Sequence, residues 1–102
     1  MLNSEFQFLV DFKLPDYLSE DFMELIPYQR AMVNRLFKDG KMMNYALSLE
    51  SSRLWCVINA TTEDEVQGTI QELPLTKFMN FEICILTFYN SMEPVTPDFS
   101  MN

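Results

Sequence analysis

Hydrophobic and polar residues alternate at the start of the chain. Every second position over 6–12 is large and apolar, which is the period of a β-strand with one buried face. Pro15 ends this strand, because proline cannot donate to a ladder and restricts the residue before it. Apolar positions then recur at three- and four-residue spacing over 20–39, which predicts an amphipathic helix. Ser19 is its expected N-cap, and Gly40 closes it.

The remainder of the chain carries further strand and helix patterns. Pro27, inside the first helix, predicts either a kink or a division between a leading turn and a main helix. Thr62 and Glu65 have the spacing of a capping box and predict a second helix over 62–72. Three further strands are expected over about 42–49, 53–60 and 79–88, the first two as a hairpin.

The order of these elements predicts an α+β fold. A βαββαβ chain is typical of ferredoxin-like domains with a four-stranded antiparallel sheet, and right-handed crossovers place the first and third strands at its centre. We expect residues 1–90 to form this domain and 91–102 to form an extended C-terminal arm.

The apolar residues of the strands exceed what two helices can cover. The strand over 79–88 is apolar on both faces, and strict alternation along 42–49 gives apolar residues on both sides as well. We therefore expect a second copy to cover the other face, giving a dimeric α+β barrel with an apolar cavity between the sheets. In the second strand one side is expected to carry Met43, Tyr45, Leu47 and Leu49, and the other Met42 and Ala46.

Composition narrows the classes of partner and chemistry. The 102 residues are 48% hydrophobic, carry a net charge of −8 and include no histidine. The chain therefore lacks the basic surface that a nucleic acid or an anionic membrane would bind. Without histidine, Cys56 and Cys84 make no typical metal site, and both are expected to be buried in a reducing cytoplasm. We expect no cofactor and no metal.

One segment carries a resemblance to a known family. Residues 73–83, Leu-Pro-Leu-Thr-Lys-Phe-Met-Asn-Phe-Glu-Ile, are similar to a motif of the muconolactone delta-isomerase family. The likeness extends through the strand that ends at Pro15 and through Arg35, Leu36 and Gly40, and it covers roughly residues 6–90. It implies a dimeric ferredoxin-like fold, often in larger rings, and a founding activity that moves a proton between two carbons of a small unsaturated lactone acid.

The resemblance also shows where this chain departs from the family. The family has a charged residue at the position of Leu9 and arginines at the positions of Met43 and Leu47. Arg30 is a basic position that survives, and Asp11 follows the lost charge on the same strand face. Because an anionic substrate needs a cation and proton abstraction needs a base, these losses argue against muconolactone isomerisation itself.

Two residues are the catalytic candidates, and each also has a structural interpretation. Asp11 would act as a general base, or would be a solvated carboxylate paired with Lys13 or another cation. Arg30 would bind a substrate carboxylate, or would form a surface ion pair. Four residues are candidates for lining the substrate site: Tyr45, Trp55, Leu9 and Met43. For Tyr45 packing is the favoured role, and for Trp55 a place in the core or an interface is favoured. Tyr45 is expected to share the cavity of Asp11, and Glu82, in the family motif, needs a partner.

Three functions stay open from sequence. The first is an isomerase-like protein that isomerises or binds a small organic acid or lactone at the dimer interface. The second is a non-catalytic dimeric module for binding or assembly. The third is cofactor-independent oxidative or lyase chemistry, which related dimeric barrels host.

Overall fold

The chain folds in the predicted βαββαβ order. A computed structural model describes residues 5–92, so the predicted arm lies outside the described residues apart from positions 91 and 92. The sheet order is β2-β3-β1-β4, with every neighbouring pair antiparallel, which confirms the predicted α+β architecture. The elements are β1 (Phe6–Lys13), α1 (Glu20–Lys38), β2 (Met42–Ser48), β3 (Arg53–Ala60), α2 (Glu63–Gln71) and β4 (Asn80–Ile85), with a 3-10 turn at Thr76–Phe78.

One face of the sheet packs against both helices and forms the core. Three of the four even positions of β1 that the alternation predicted as buried lie in this core, namely Phe8, Val10 and Phe12, whereas Phe6 at the start of the strand is 46% exposed. The Phe12 ring meets Phe81 of β4 at a centroid distance of 5.9 Å. From the helices and β3, the core takes Phe22, Val33, Leu36, Leu54, Cys56, Ile58, Val66 and Ile70.

Helix α1 begins at the predicted residue, ends one residue earlier than predicted, at Lys38, and is not divided. The Ser19 hydroxyl accepts a hydrogen bond from the Phe22 N–H at 3.1 Å, and Gly40 takes a φ of +73° beyond the C-terminus, a conformation that favours glycine. The helix runs through Pro27, which cannot donate to the Met23 carbonyl. Both residues are exposed, so water can satisfy that carbonyl.

Helix α2 starts with a variant of the predicted capping box. Thr62 accepts from the Glu65 N–H at 3.2 Å. The Glu65 carboxylate in turn accepts from the N–H and the hydroxyl of Thr61, at 2.7 and 2.8 Å. The Thr61 backbone hydrogen bond is the main cause that holds the pKa of Glu65 below its ordinary value.

A β-bulge in β2 overturns the expected distribution of its side chains. The register shifts between Met42, opposite Ile58, and Asn44, opposite Val57. Met42 is consequently buried on the same side as Tyr45, whereas Met43 is exposed. Placing Met43 with Tyr45, and Met42 opposite them, was wrong because a bulge inserts one residue and reverses the alternation beyond it.

The face of the sheet away from the helices carries an apolar row among polar residues, and the chain after β4 covers part of it. An apolar row of Val57, Leu9 and Cys84 crosses it. The Asn44 amide donates to the Tyr89 hydroxyl at 2.9 Å, and since β2 and β4 are opposite edges, the chain after β4 must cross this face. Val57 is thereby only 3% exposed. Cys56 is buried as predicted, but Cys84 is exposed, so its predicted burial was wrong.

Candidate functional site

An apolar cavity of about 550 Å³ lies between α1 and β2, on the helix-covered side of the sheet. It is therefore within one chain, whereas the sequence had suggested a cavity between two sheets. Its size falls in the range of small-molecule sites. Apolar side chains from four parts of the chain line it: Leu14 and Leu18 before α1; Phe22, Met23, Ile26, Val33 and Phe37 of α1; Leu47, Leu49 and Leu54 of the hairpin; and Leu75 and Met79 before β4.

One buried amide, Gln29 of α1, organises the polar part of this cavity. Gln29 is only 3% exposed. Its Oε1 accepts from the backbone N–H of Leu75 at 3.0 Å, and its Nε2 donates to the Tyr45 hydroxyl at 2.9 Å. Because a backbone N–H can only donate, Oε1 must face Leu75 and the amide has one possible orientation. Gln29 thus ties the helix to β2 and to the segment before β4.

This orientation also fixes the polarity of the Tyr45 hydroxyl. Since Tyr45 accepts from Gln29, its own hydrogen is available for another acceptor. Tyr45 lines the cavity, and no acceptor for that hydrogen occurs among residues 5–92. Burial raises the pKa of Tyr45, so the hydroxyl is protonated at neutral pH. Tyr45 therefore presents a hydrogen-bond donor to whatever occupies the cavity.

Two exposed polar residues on α1 complete the lining. Arg30 and Asn34 are four residues apart and so share one face of the helix at the edge of the cavity. Arg30 is the charged residue among the lining side chains, and it forms no salt bridge with a residue in the described range. The site combines an apolar body, a phenolic donor and a cation at its mouth.

Asp11, the predicted general base, lies on the other side of the sheet. It stands opposite Trp55 of β3 and Glu82 of β4. Its Oδ1 is 3.3 Å from Nη1 of Arg53, and both side chains are partly exposed. The structure therefore does not bring Asp11 and Arg30 together within one chain, and Asp11 has the cation partner that its structural interpretation anticipated.

The remaining candidates divide between the two sides of the sheet. Tyr45 lines the cavity with Arg30, and not with Asp11 as expected. Leu9 and Trp55 share the face of Asp11. Met43 lies at the bulge, with its sulfur 2.9 Å from the Asn59 amide.

Sequence reasoning overlooked Gln29 and Asn34. Gln29 was detectable, because it falls on the apolar stripe of α1 between Phe22 and Val33 at helical spacing. A polar side chain at a core position needs partners, which is a signal in itself. Asn34 gave no comparable signal, since exposed asparagines are common on helices.

The fold and the cavity together define a class: a ferredoxin-like α+β domain with a ligand-sized cavity between helix and sheet. The family model for muconolactone delta-isomerase matches residues 5–92. The chain therefore belongs to the muconolactone delta-isomerase family, as its motifs suggested. No curated protein matches the chain.

Two further properties concern only the part of the chain that the structure describes. Among residues 5–92, no three histidine, cysteine, aspartate or glutamate side chains lie close enough together to hold a metal ion. None of the helices in that range is long and apolar enough to cross a membrane.

Proposed function

We propose that this protein binds a small organic acid or lactone in the α1/β2 cavity. The observation that carries the proposal is the Tyr45 hydroxyl, which Gln29 orients so that its hydrogen is free for an acceptor on the ligand. A ring or carbonyl oxygen would accept that hydrogen, and Arg30 would attract a carboxylate at the mouth. An apolar cavity with a few convergent polar groups is typical of small-molecule sites.

The groups lining the cavity favour binding over isomerisation. Moving a proton between carbons requires a base within hydrogen-bond reach. The titratable side chains in the lining are Arg30 and Tyr45. A guanidinium has no acceptor atom, and burial raises the pKa of Tyr45, which keeps its hydroxyl protonated near neutral pH. Tyr45 can polarise a carbonyl by donating to it, but it cannot abstract a proton. Leu47, where the family resemblance implies an arginine, gives the cavity an apolar wall instead.

The test is a thermal-shift screen of lactones and small aromatic or dicarboxylic acids, followed by titration calorimetry on each hit. Tyr45→Phe should weaken a hit by about fivefold to tenfold, the value of one hydrogen bond of about 1 kcal/mol. Tyr89→Phe is the matched control, since it removes a phenolic hydroxyl on the opposite face. Asp11→Asn should also leave binding unchanged. A ligand whose affinity is unchanged by Tyr45→Phe, or the absence of any ligand in the screen, contradicts the proposal.

We also propose that the protein works in the cytoplasm as a homodimer through the face that carries Asp11 and Trp55. The partly exposed Leu9 and the exposed Cys84 beside it on this face support the dimer. Light scattering at micromolar concentration should then find a dimer, and thiol labelling of Cys84 should slow as the concentration rises. Cys56 provides the internal control, because burial raises the pKa of its thiol to about 12. A monomer with freely labelled Cys84 would refute the dimer.

A further inference from the structure

The rim of the cavity is more apolar than a compact lactone acid requires. Five large apolar side chains that line the cavity are also exposed to solvent, and Leu49 is 68% exposed. Contiguous exposed apolar surface around a concave site marks a place where something apolar binds. The other four are Leu18, Met23, Phe37 and Leu47.

Charge selects among the possible apolar occupants. The protein carries a net charge of −8, which repels anions in general. Arg30 nevertheless stands at the mouth of this cavity, and no acidic residue lines it. Within residues 5–92 no carboxylate forms a salt bridge with Arg30, so its guanidinium is available to an anionic ligand that reaches the rim.

We infer that the ligand is an apolar monocarboxylate, with its carboxylate on Arg30 and an acyl or aryl body of roughly eight to twelve carbon atoms in the cavity. This inference rests on the proposed function and specifies its ligand class. A dicarboxylate would place a second charge against leucine and phenylalanine side chains, where desolvating it is costly. A hydroxyl, keto or ether oxygen in the body would also satisfy Tyr45.

Titration calorimetry of the full-length protein with decanoate, hexanoate and decanamide tests this inference. Each buried methylene is worth about fourfold in affinity, and part of the chain stays at the exposed rim. Decanoate should therefore bind at least tenfold more tightly than hexanoate. Decanamide keeps the apolar body but lacks the charge, so it should bind about threefold to tenfold more weakly than decanoate.

Two arginine variants identify the cation. Arg30→Gln should abolish the preference for decanoate over decanamide, because the affinity for decanoate should fall to about that for decanamide. Arg35→Gln is the matched control, because Arg35 lies on the same helix but does not line the cavity. It should preserve both affinities. A preference that survives in Arg30→Gln, or that is lost equally in Arg35→Gln, would overturn the inference.

Other outcomes separate this inference from the proposed function. If short acids or lactones bind through Tyr45 but decanoate binds no better than hexanoate, the inference fails and the proposed function stands. If no ligand binds, both fail. A second copy is the other possible occupant of the rim: should Leu49→Asp dissociate a dimer that decanoate does not affect, the rim is a protein interface and the inference is wrong.

Discussion

Replacing Gln29 by methionine should lower the free energy of unfolding by more than the loss of one hydrogen bond would. Methionine fills a similar volume but can neither accept from the Leu75 N–H nor donate to Tyr45. Leu75 is buried, so its N–H would lose its partner without gaining water. A stranded buried donor costs about 1–3 kcal/mol, and a lost side-chain hydrogen bond about 0.5–1.5 kcal/mol.

The two effects together predict a loss of about 2 kcal/mol in the free energy of unfolding, since the easier desolvation of methionine offsets part of the cost. For a domain of this size, this corresponds to a decrease in Tm of roughly 8–16 °C. Urea denaturation followed by the fluorescence of Trp55 measures the free energy directly. The m-value should stay constant if only the folded state is affected.

Tyr45→Phe distinguishes this explanation from a general loss of packing. It removes the same Gln29–Tyr45 hydrogen bond, but both residues line the cavity and this bond is only partly buried, so water can replace the hydroxyl. We expect a cost of about 1 kcal/mol or less. If Tyr45→Phe destabilises the protein as much as Gln29→Met, the stranded Leu75 N–H is not the main cost and the reasoning is refuted.

Three further predictions concern parts of the molecule outside the cavity. Thr62→Ala should lower the free energy of unfolding by about 1 kcal/mol in urea, because it removes the N-cap of α2; an unchanged midpoint would contradict the observed cap. The lowered pKa of Glu65 stabilises the fold above the carboxyl pKa of the unfolded chain, and this contribution is lost as the pH falls through the folded-state pKa. Glu65→Gln should therefore flatten the pH dependence of Tm on the acid side. An unaltered profile would show that the Glu65 carboxylate is not the source of this pH dependence. Asp11→Asn should cost less than about 1 kcal/mol, because the pair with Arg53 is partly exposed; a loss above 2 kcal/mol would indicate a buried role.

Most of the fold was predictable because local signals agreed with one another. The alternation predicted β1, and the Ser19 cap predicted the start of α1. Both agree with the topology that the order of elements predicted. The faces of β2 were not predictable, since nothing in its sequence marks the bulge at Met43. That single residue determines which side of the sheet Tyr45 joins, and with it which candidates can act together. The site was therefore only half predictable: Arg30 and Tyr45 line the cavity, whereas Asp11, Leu9 and Trp55 lie on the other face.

Stability and ligand binding should be coupled through Gln29, and this coupling separates a structural defect from a binding defect. A ligand present at 100 times its dissociation constant stabilises the folded state by about 2.7 kcal/mol, which is comparable with the loss expected for Gln29→Met. A saturating lactone or acid that binds through the Tyr45 hydroxyl should therefore return that variant to about the Tm of the unliganded wild type. This requires that the cavity keep its shape and that Tyr45, without its Gln29 donor, still point its hydroxyl inward. If Gln29→Met shows no ligand-induced rise in Tm while the wild type does, Gln29 positions the ligand-binding hydroxyl as well as supporting the fold.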